Sequence, residues 1–244
     1  MAILKSLSRV FTTPEGSSTR QVGFVLFPTL TQLDLTGPWE VFTRLPDTHC
    51  HLLSNDLTPV RSASGLSIVP TLPYAECGQL DIVIVPGGPG HLDAMTDERL
   101  LTFLRDQEPG CQLVIAICTG SLVLAAAGLL RGYECTTHWT ALHRLSAYGA
   151  KPVSRRVVFD RRRVTGGGVT AGIDLGLVVA AKLCGEDVAR KIQLQMEYAP
   201  EPPFAGSPET ADVATVAALQ DIPPAIAKRI REIDAAALAR LATI

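Results

Sequence analysis

Asp81–Gly90 reads DIVIVPGGPG, and Gln112–Ser121 reads QLVIAICTGS. After one polar residue each is a short run that is apolar at every position and ends abruptly in small residues. A strand that is apolar on both faces must be covered on both faces, so these two are inner strands of a sheet held between helical layers. Working outward, Val22–Phe27 (VGFVLF) is a third such strand, and His49–Ser54 alternates as a fourth. Val60–Val69, with Ser64-Gly65 at its middle, reads as a hairpin excursion. Val157–Asp160 and Arg163–Thr165 read as a second hairpin around Arg161-Arg162, a solvated basic tip. Helices are expected between the strands: Leu35–Leu45 with Pro38 in its first turn, Asp97–Gln107, Leu122–Ala127 closed by Gly128, Thr140–Ala147, Ala171–Cys184 and Asp187–Glu197. This alternation predicts an α/β sandwich of three layers with a mainly parallel central sheet. The expected organisation is a flexible N-terminal extension over residues 1–19, one α/β domain over 20–210, and a helical tail over 211–244. In that tail Ile226, Ile230, Ile233, Ala237 and Leu241 share one face of a single helix from Pro223, docked on the body or on a partner subunit.

Composition narrows the function classes. The chain has 244 residues, 47% of them hydrophobic and 19% charged, so it buries a sizeable core and is not disordered. Its formal net charge of −2 gives no general attraction to nucleic acid or anionic lipid. No apolar run approaches the ~20 residues that span a bilayer. Six cysteines occur with no CxxC pair, so neither a zinc site nor a dithiol redox motif is indicated. A chain this long and apolar does not need disulfide staples. Reduced thiols and a cytoplasmic location are expected. The first 19 residues lack a secretory apolar core; an organelle-targeting segment and a floppy extension both fit them.

In open α/β sheets, sites form where strands end and helices begin. Cys118 sits at such a junction, before Thr119, Gly120 and Ser121, where helix N–H groups favour a thiolate and a tight turn presents the sulfur. The other five cysteines lack this setting and read as core thiols. Gly87 and Gly88 offer unobstructed N–H donors for a developing anion, or simply form a tight turn. Asp34, between Leu33 and Leu35, is either a helix N-cap ahead of Pro38 or a partly desolvated acid/base over Cys118. His138 is the best histidine candidate for a base and equally a structural histidine, while His49, His51, His91 and His143 read as peripheral. There is no GxGxxG or GxxxxGK[ST] string for nucleotide phosphates.

The segments GFVLFPTLTQLDLTGPWEV (Gly23–Val41), DIVIVPGG (Asp81–Gly88), AICTGSLVLAAAGLL (Ala116–Leu130), TTHW (Thr136–Trp139), VTGGGVTAGIDLGL (Val164–Leu177) and QLQMEYAPEPPFAGSP (Gln193–Pro208) resemble the ThiJ/PfpI superfamily, and more closely its isocyanide hydratase branch. The resemblance covers about residues 20–210. It implies a flavodoxin-like fold, a homodimer, and hydration of a small isocyanide without a metal or organic cofactor. It also implies roles: Cys118 as nucleophile, Asp34 as acid/base, Thr119 beside the sulfur, and Gly167 lining the site. Trp39 would narrow the range of substrates. Peptidase-like and glyoxalase-like members carry a glutamate in the first loop and often a histidine after the cysteine; Asp34 and Thr119 stand here instead, which weakens those activities. Two other classes share the superfamily pattern. One is a sensor domain of AraC-type regulators, which append a helix-turn-helix region. The other is a redox-sensing cysteine protein.

Overall fold

The computed structural model describes residues 19–243; apart from Thr19, the N-terminal extension expected over 1–19 lies outside them. The central sheet has seven strands: β1 (Arg20–Val25), β2 (Thr48–Ser54), β3 (Leu72–Pro73), β4 (Ile82–Val85), β5 (Leu113–Ile117), β6 (Val157–Asp160) and β7 (Arg163–Gly166). Their order is β6-β7-β5-β4-β1-β2-β3, parallel throughout except for the β6–β7 hairpin at one edge. Every residue of β4 and β5 is buried, as their unbroken apolar runs require. From β1 the chain steps out to β2 and β3, then returns to lay β4 on the other side of β1. That reversal opens a crevice at the carboxyl ends of β1 and β4, the place where such sheets bind ligands.

Helices α1 (Gln32–Phe42) and α4 (Ala171–Cys184) pack together on one side of the sheet, and α5 (Glu186–Gln195) packs on α4. On the other side lie α2 (Glu98–Gln107) and α3 (Gly120–Ala126), with the 3₁₀ segment Trp139–Tyr148 packed on α3. Asp97 caps α2 by accepting from the Arg99 and Leu100 amides, so this helix begins where a capping aspartate precedes its first apolar turn. The hairpin in 60–69 is present as Val60–Arg61 paired antiparallel with Ser67–Ile68.

One expectation is corrected. Helix α1 begins at Gln32 rather than Leu35, because the turn from Thr31 already closes on Asp34. Pro38 therefore lies inside the helix, where it offers no N–H to the carbonyl four residues back. The helix expected from Pro223 is present as α7 (Pro224–Leu241), and α6 (Val213–Gln220) precedes it in the tail. Helix α7 docks on the body of its own chain. Ala237 is fully buried and Ile233, Leu238 and Leu241 pack on the core, whereas Ile226 remains 47% exposed. Among the described residues, no helix is long and apolar enough to cross a membrane.

Candidate active site

Three loops from the carboxyl ends of β1, β4 and β5 meet in the crevice. Cys118 follows β5 with φ at 55°, a left-handed conformation that a residue with a side chain rarely adopts. The surroundings hold it there. Its amide donates to the Gly166 carbonyl at 3.0 Å, and its own carbonyl accepts from the Thr137 hydroxyl at 2.7 Å. The next residues start α3, and a side chain at Gly120 would strike the Val85 and Pro86 carbonyls. The turn therefore has the shape of a nucleophile elbow.

Asp34 reaches this elbow from the third position of α1, fully buried. Its Oδ2 accepts the Gly87 amide at 2.9 Å. Its Oδ1 is buried without a well-formed hydrogen bond among the described residues, and the polar side chain that acts on this carboxyl is the Cys118 thiol. Burial pushes the Asp34 carboxyl up to about 7, against the smaller opposing effects of Gly87 and Cys118. Around neutral pH it therefore holds or gives up a proton with equal ease. Thr119 sits across the loop: its hydroxyl accepts from the Gly88 amide at 2.9 Å and lies 3.2 Å from the Gly88 carbonyl. Gly87 has no room for a side chain, since a Cβ there would lie 2.5 Å from the Thr119 amide nitrogen and 2.9 Å from the Cys118 Cβ.

The structure thus brings together Cys118, Asp34, Thr119, Gly87 and Gly88, but it overturns three of the readings that the sequence offers. The sulfur is not thrust out as a ready thiolate. Cys118 is 5% exposed, and burial, then the neighbouring Asp34 charge, hold its pKa well above the ordinary thiol range, outweighing the Thr119 amide and hydroxyl. Nor are the Gly87 and Gly88 amides free for an anion, because they are spent on Asp34 and Thr119. They seat the Asp34 and Thr119 side chains instead. Asp34 is likewise no N-cap, being inside the helix.

The other candidates lie further out. Gly167 follows the Gly166 that holds Cys118, and its amide donates to Arg156 O at 2.9 Å. The Trp39 ring packs edge-on against Phe24 with 5.1 Å between centroids. His138 caps the 3₁₀ segment, its Nδ1 paired with the Thr140 hydroxyl at 2.8 Å. His91 was read as peripheral and is not: it is buried, with Nδ1 2.9 Å from Gly88 O and Nε2 3.1 Å from Arg144 Nη1. The sequence signal that marks it is adjacency, since it closes the PGGPG loop. Beside Thr119 opens a cavity of about 260 Å³, walled by His91 and Ala141 on the body and by Ile222, Ala227 and Ile230 of the tail. Among the described residues no group of three or more His, Cys, Asp or Glu side chains forms a metal site. All six cysteines are unpaired.

The sequence pattern of the DJ-1/PfpI family matches residues 20–182, which contain the whole elbow and its partners. The chain belongs to the DJ-1/PfpI family. Within this family it is 52% identical over 197 residues to the isonitrile hydratase of Pseudomonas putida, an alignment that takes in 80% of this chain and 86% of that protein. It is 32% identical over 193 residues to the transcriptional regulator GbdR of Pseudomonas aeruginosa, and there the match takes in 76% of this chain and 52% of the regulator. Among solved DJ-1/PfpI structures, a ThiJ/PfpI family protein from Pseudomonas syringae superposes with a TM-score of 0.85 at 37% identity, covering 93% of this chain and 97% of that one. DJ-1beta of Drosophila melanogaster superposes with a TM-score of 0.68 at 23% identity over 75% of this chain, a likeness of fold.

Proposed function

We propose that this chain adds water to organic isocyanides, R–N≡C, to give N-substituted formamides through a covalent bond to Cys118. The observation that carries the reading is the buried pair: a neutral thiol beside a carboxyl that changes protonation state at about pH 7. The likeness to the P. putida isonitrile hydratase supports the substrate class.

The chemistry follows from those two groups. The thiol sulfur bonds to the terminal isocyanide carbon while its proton passes to the Asp34 carboxylate. Asp34 returns that proton to the same carbon, giving the thioimidate R–N=CH–S–Cys118. Asp34, again a carboxylate, takes a proton from water as the oxygen bonds to this carbon, and that proton goes to nitrogen. The tetrahedral R–NH–CH(OH)–S–Cys118 then collapses: the C–S bond breaks, the hydroxyl proton returns to sulfur by way of Asp34, and R–NH–CHO leaves. One difficult hydration is divided into two easier additions, and every proton transfer uses a carboxyl matched to neutral pH. Thr119, pinned by Gly88, keeps the sulfur in place. The cavity beside Thr119 receives the R group, and its Ala141, Ala227 and Ile230 walls suit an apolar substituent.

The test is loss of the N≡C infrared band with appearance of formamide. Cys118→Ala and Asp34→Asn each abolish turnover; wild-type rates from Cys118→Ala would sink the covalent route. The buried, protonated thiol also disfavours peroxide sensing, which needs an accessible thiolate. A homodimer belongs to the same reading: Leu194, Phe204 and Val213 are apolar side chains more than 80% exposed that a second copy would cover. Sedimentation of a monomer at working concentration would refute that part.

A further inference from the structure

The Gly88 carbonyl is the hub of the loop that seats Asp34 and Thr119. It accepts from the His91 amide at 3.0 Å and from His91 Nδ1 at 2.9 Å, and the Thr119 hydroxyl lies 3.2 Å away. A carbonyl only accepts, so Nδ1 carries the imidazole proton and Nε2 is left as a bare lone pair. Arg144 Nη1 fills that acceptor at 3.1 Å. The same guanidinium gives Nε and Nη2 to the Asp234 carboxylate at 3.0 and 2.7 Å, and the Tyr148 hydroxyl donates to Asp234 at 2.6 Å. Asp234 lies on α7, beyond the end of the family match.

A pair that served only to dock the tail would be an uneconomical one. Arg144 is 7% exposed and Asp234 20%, and burying two charges costs much of what their attraction returns. Helix α7 already has Ala237 in the core, Leu241 packed against it, and Arg240 bonded to the Met95 and Ala126 carbonyls and to Glu98. What the pair adds is direction: with both ends fixed, the arginine presents one N–H to one nitrogen of His91.

We propose that Asp234 is a positioning residue of the active site: through Arg144 and His91 it fixes the Gly88 carbonyl, and with it the Gly87–Gly88 segment that seats Asp34 and Thr119 against Cys118. The proposal rests on the hydration reading for its rate measurements and on the geometry alone for the rest. The charged groups that act on His91 are Arg144, Asp234 and Asp93, while Arg231 of α7 and His143 line the same cavity; burial keeps its imidazole neutral, its pKa pushed down to about 4. The titratable group facing Asp34 is Cys118. The Gly87 amide lowers the Asp34 pKa, so a loosened loop raises it.

The experiment compares Asp234→Ala with Arg240→Ala, which weakens tail docking but leaves the relay intact. Asp234→Asn replaces the alanine variant if that one does not fold. Isocyanide hydration is followed together with the pH titration of the Asp34 carboxyl, read from its carbon-13 resonance. Asp234→Ala is expected to lower kcat about tenfold with KM nearly unchanged and to move the Asp34 midpoint upward by about half a pH unit. Arg240→Ala is expected to do neither. His91→Asn, which keeps an N–H for Gly88 O, recovers most of what His91→Ala loses. If Asp234→Ala and Arg240→Ala lower kcat alike and neither moves the Asp34 midpoint, the tail acts by docking alone and the proposal falls. If the wild-type protein hydrates no isocyanide, the hydration reading falls, while the Asp34 titrations still decide the role of Asp234.

Discussion

Replacing Asp34 with asparagine separates what this carboxyl costs the fold from what it does in the reaction. An unfolded aspartate titrates near 3.8, and in the folded protein burial moves it to about 7. The native state therefore binds this proton more tightly than the unfolded chain does. Between those two values the unfolded chain is ionised and the native one is not, so stability falls as pH rises, and the fall is complete once pH passes the folded value. At ~1.4 kcal/mol per pH unit, a full gap of about three pH units amounts to about 4 kcal/mol. From about pH 5 to about pH 8 the wild type should lose about 2.5 kcal/mol relative to the asparagine variant, which has no charge to bury. Asparagine keeps an oxygen for the Gly87 amide, so the loop remains anchored. Urea unfolding of both proteins across that range measures the difference directly, with equal m-values as the check that only stability has changed. Parallel pH curves for the two proteins would refute the reasoning, because Asp34 would then titrate alike in both states. The same variant should have no turnover, which would make it more stable above neutrality and inactive.

The wild-type rate should fall as pH drops through about 7, because a protonated Asp34 cannot take the thiol proton; a rate profile flat from pH 5 to 8 would contradict this. Gly87→Ala should cut kcat by about a hundredfold or more, since its methyl must displace the Thr119 backbone beside Cys118; steady-state kinetics on the folded variant decides it. Thr137→Val should cost about 1 kcal/mol in urea unfolding, because it removes the short hydroxyl bond and leaves the Cys118 carbonyl only the longer one from the Ser121 amide. Ile230→Trp should fill part of the cavity beside Thr119 and raise KM for aryl isocyanides while sparing methyl isocyanide; equal effects on both would place the substituent elsewhere.

The parts of the fold that were legible in the chain are those set by near neighbours. β4 and β5 are apolar at every position, so burial on both faces was forced wherever they lay. The elbow at Cys118 was legible for a similar reason: Gly120 is the residue that lets α3 begin against the Val85 and Pro86 carbonyls. Local spacing starts α1 at Leu35, with Pro38 in the first turn where proline costs least; the folded protein starts it at Gln32, and the Pro38 ring inside the helix is accommodated against Gly172 of α4. His91 was passed over because nothing local distinguishes it. Its partner Arg144 is 53 residues away along the chain, and Asp234 is 90 further on.

By itself the sequence determined the parallel three-layer architecture and the strand-to-helix turn at residue 118, and it singled out Cys118 and Asp34 as candidates. Periodicity, side-chain size and turn chemistry act over a few residues and can be read off a string. Only the tertiary structure decided how those groups are charged and oriented. The helix N-terminus favours a thiolate, but burial and Asp34 prevail and keep the sulfur protonated. The Gly87 and Gly88 amides looked free until Asp34 and Thr119 arrived from other loops to take them. Desolvation and hydrogen bonding depend on what the rest of the chain brings to a point in space, and spacing along the chain does not record that.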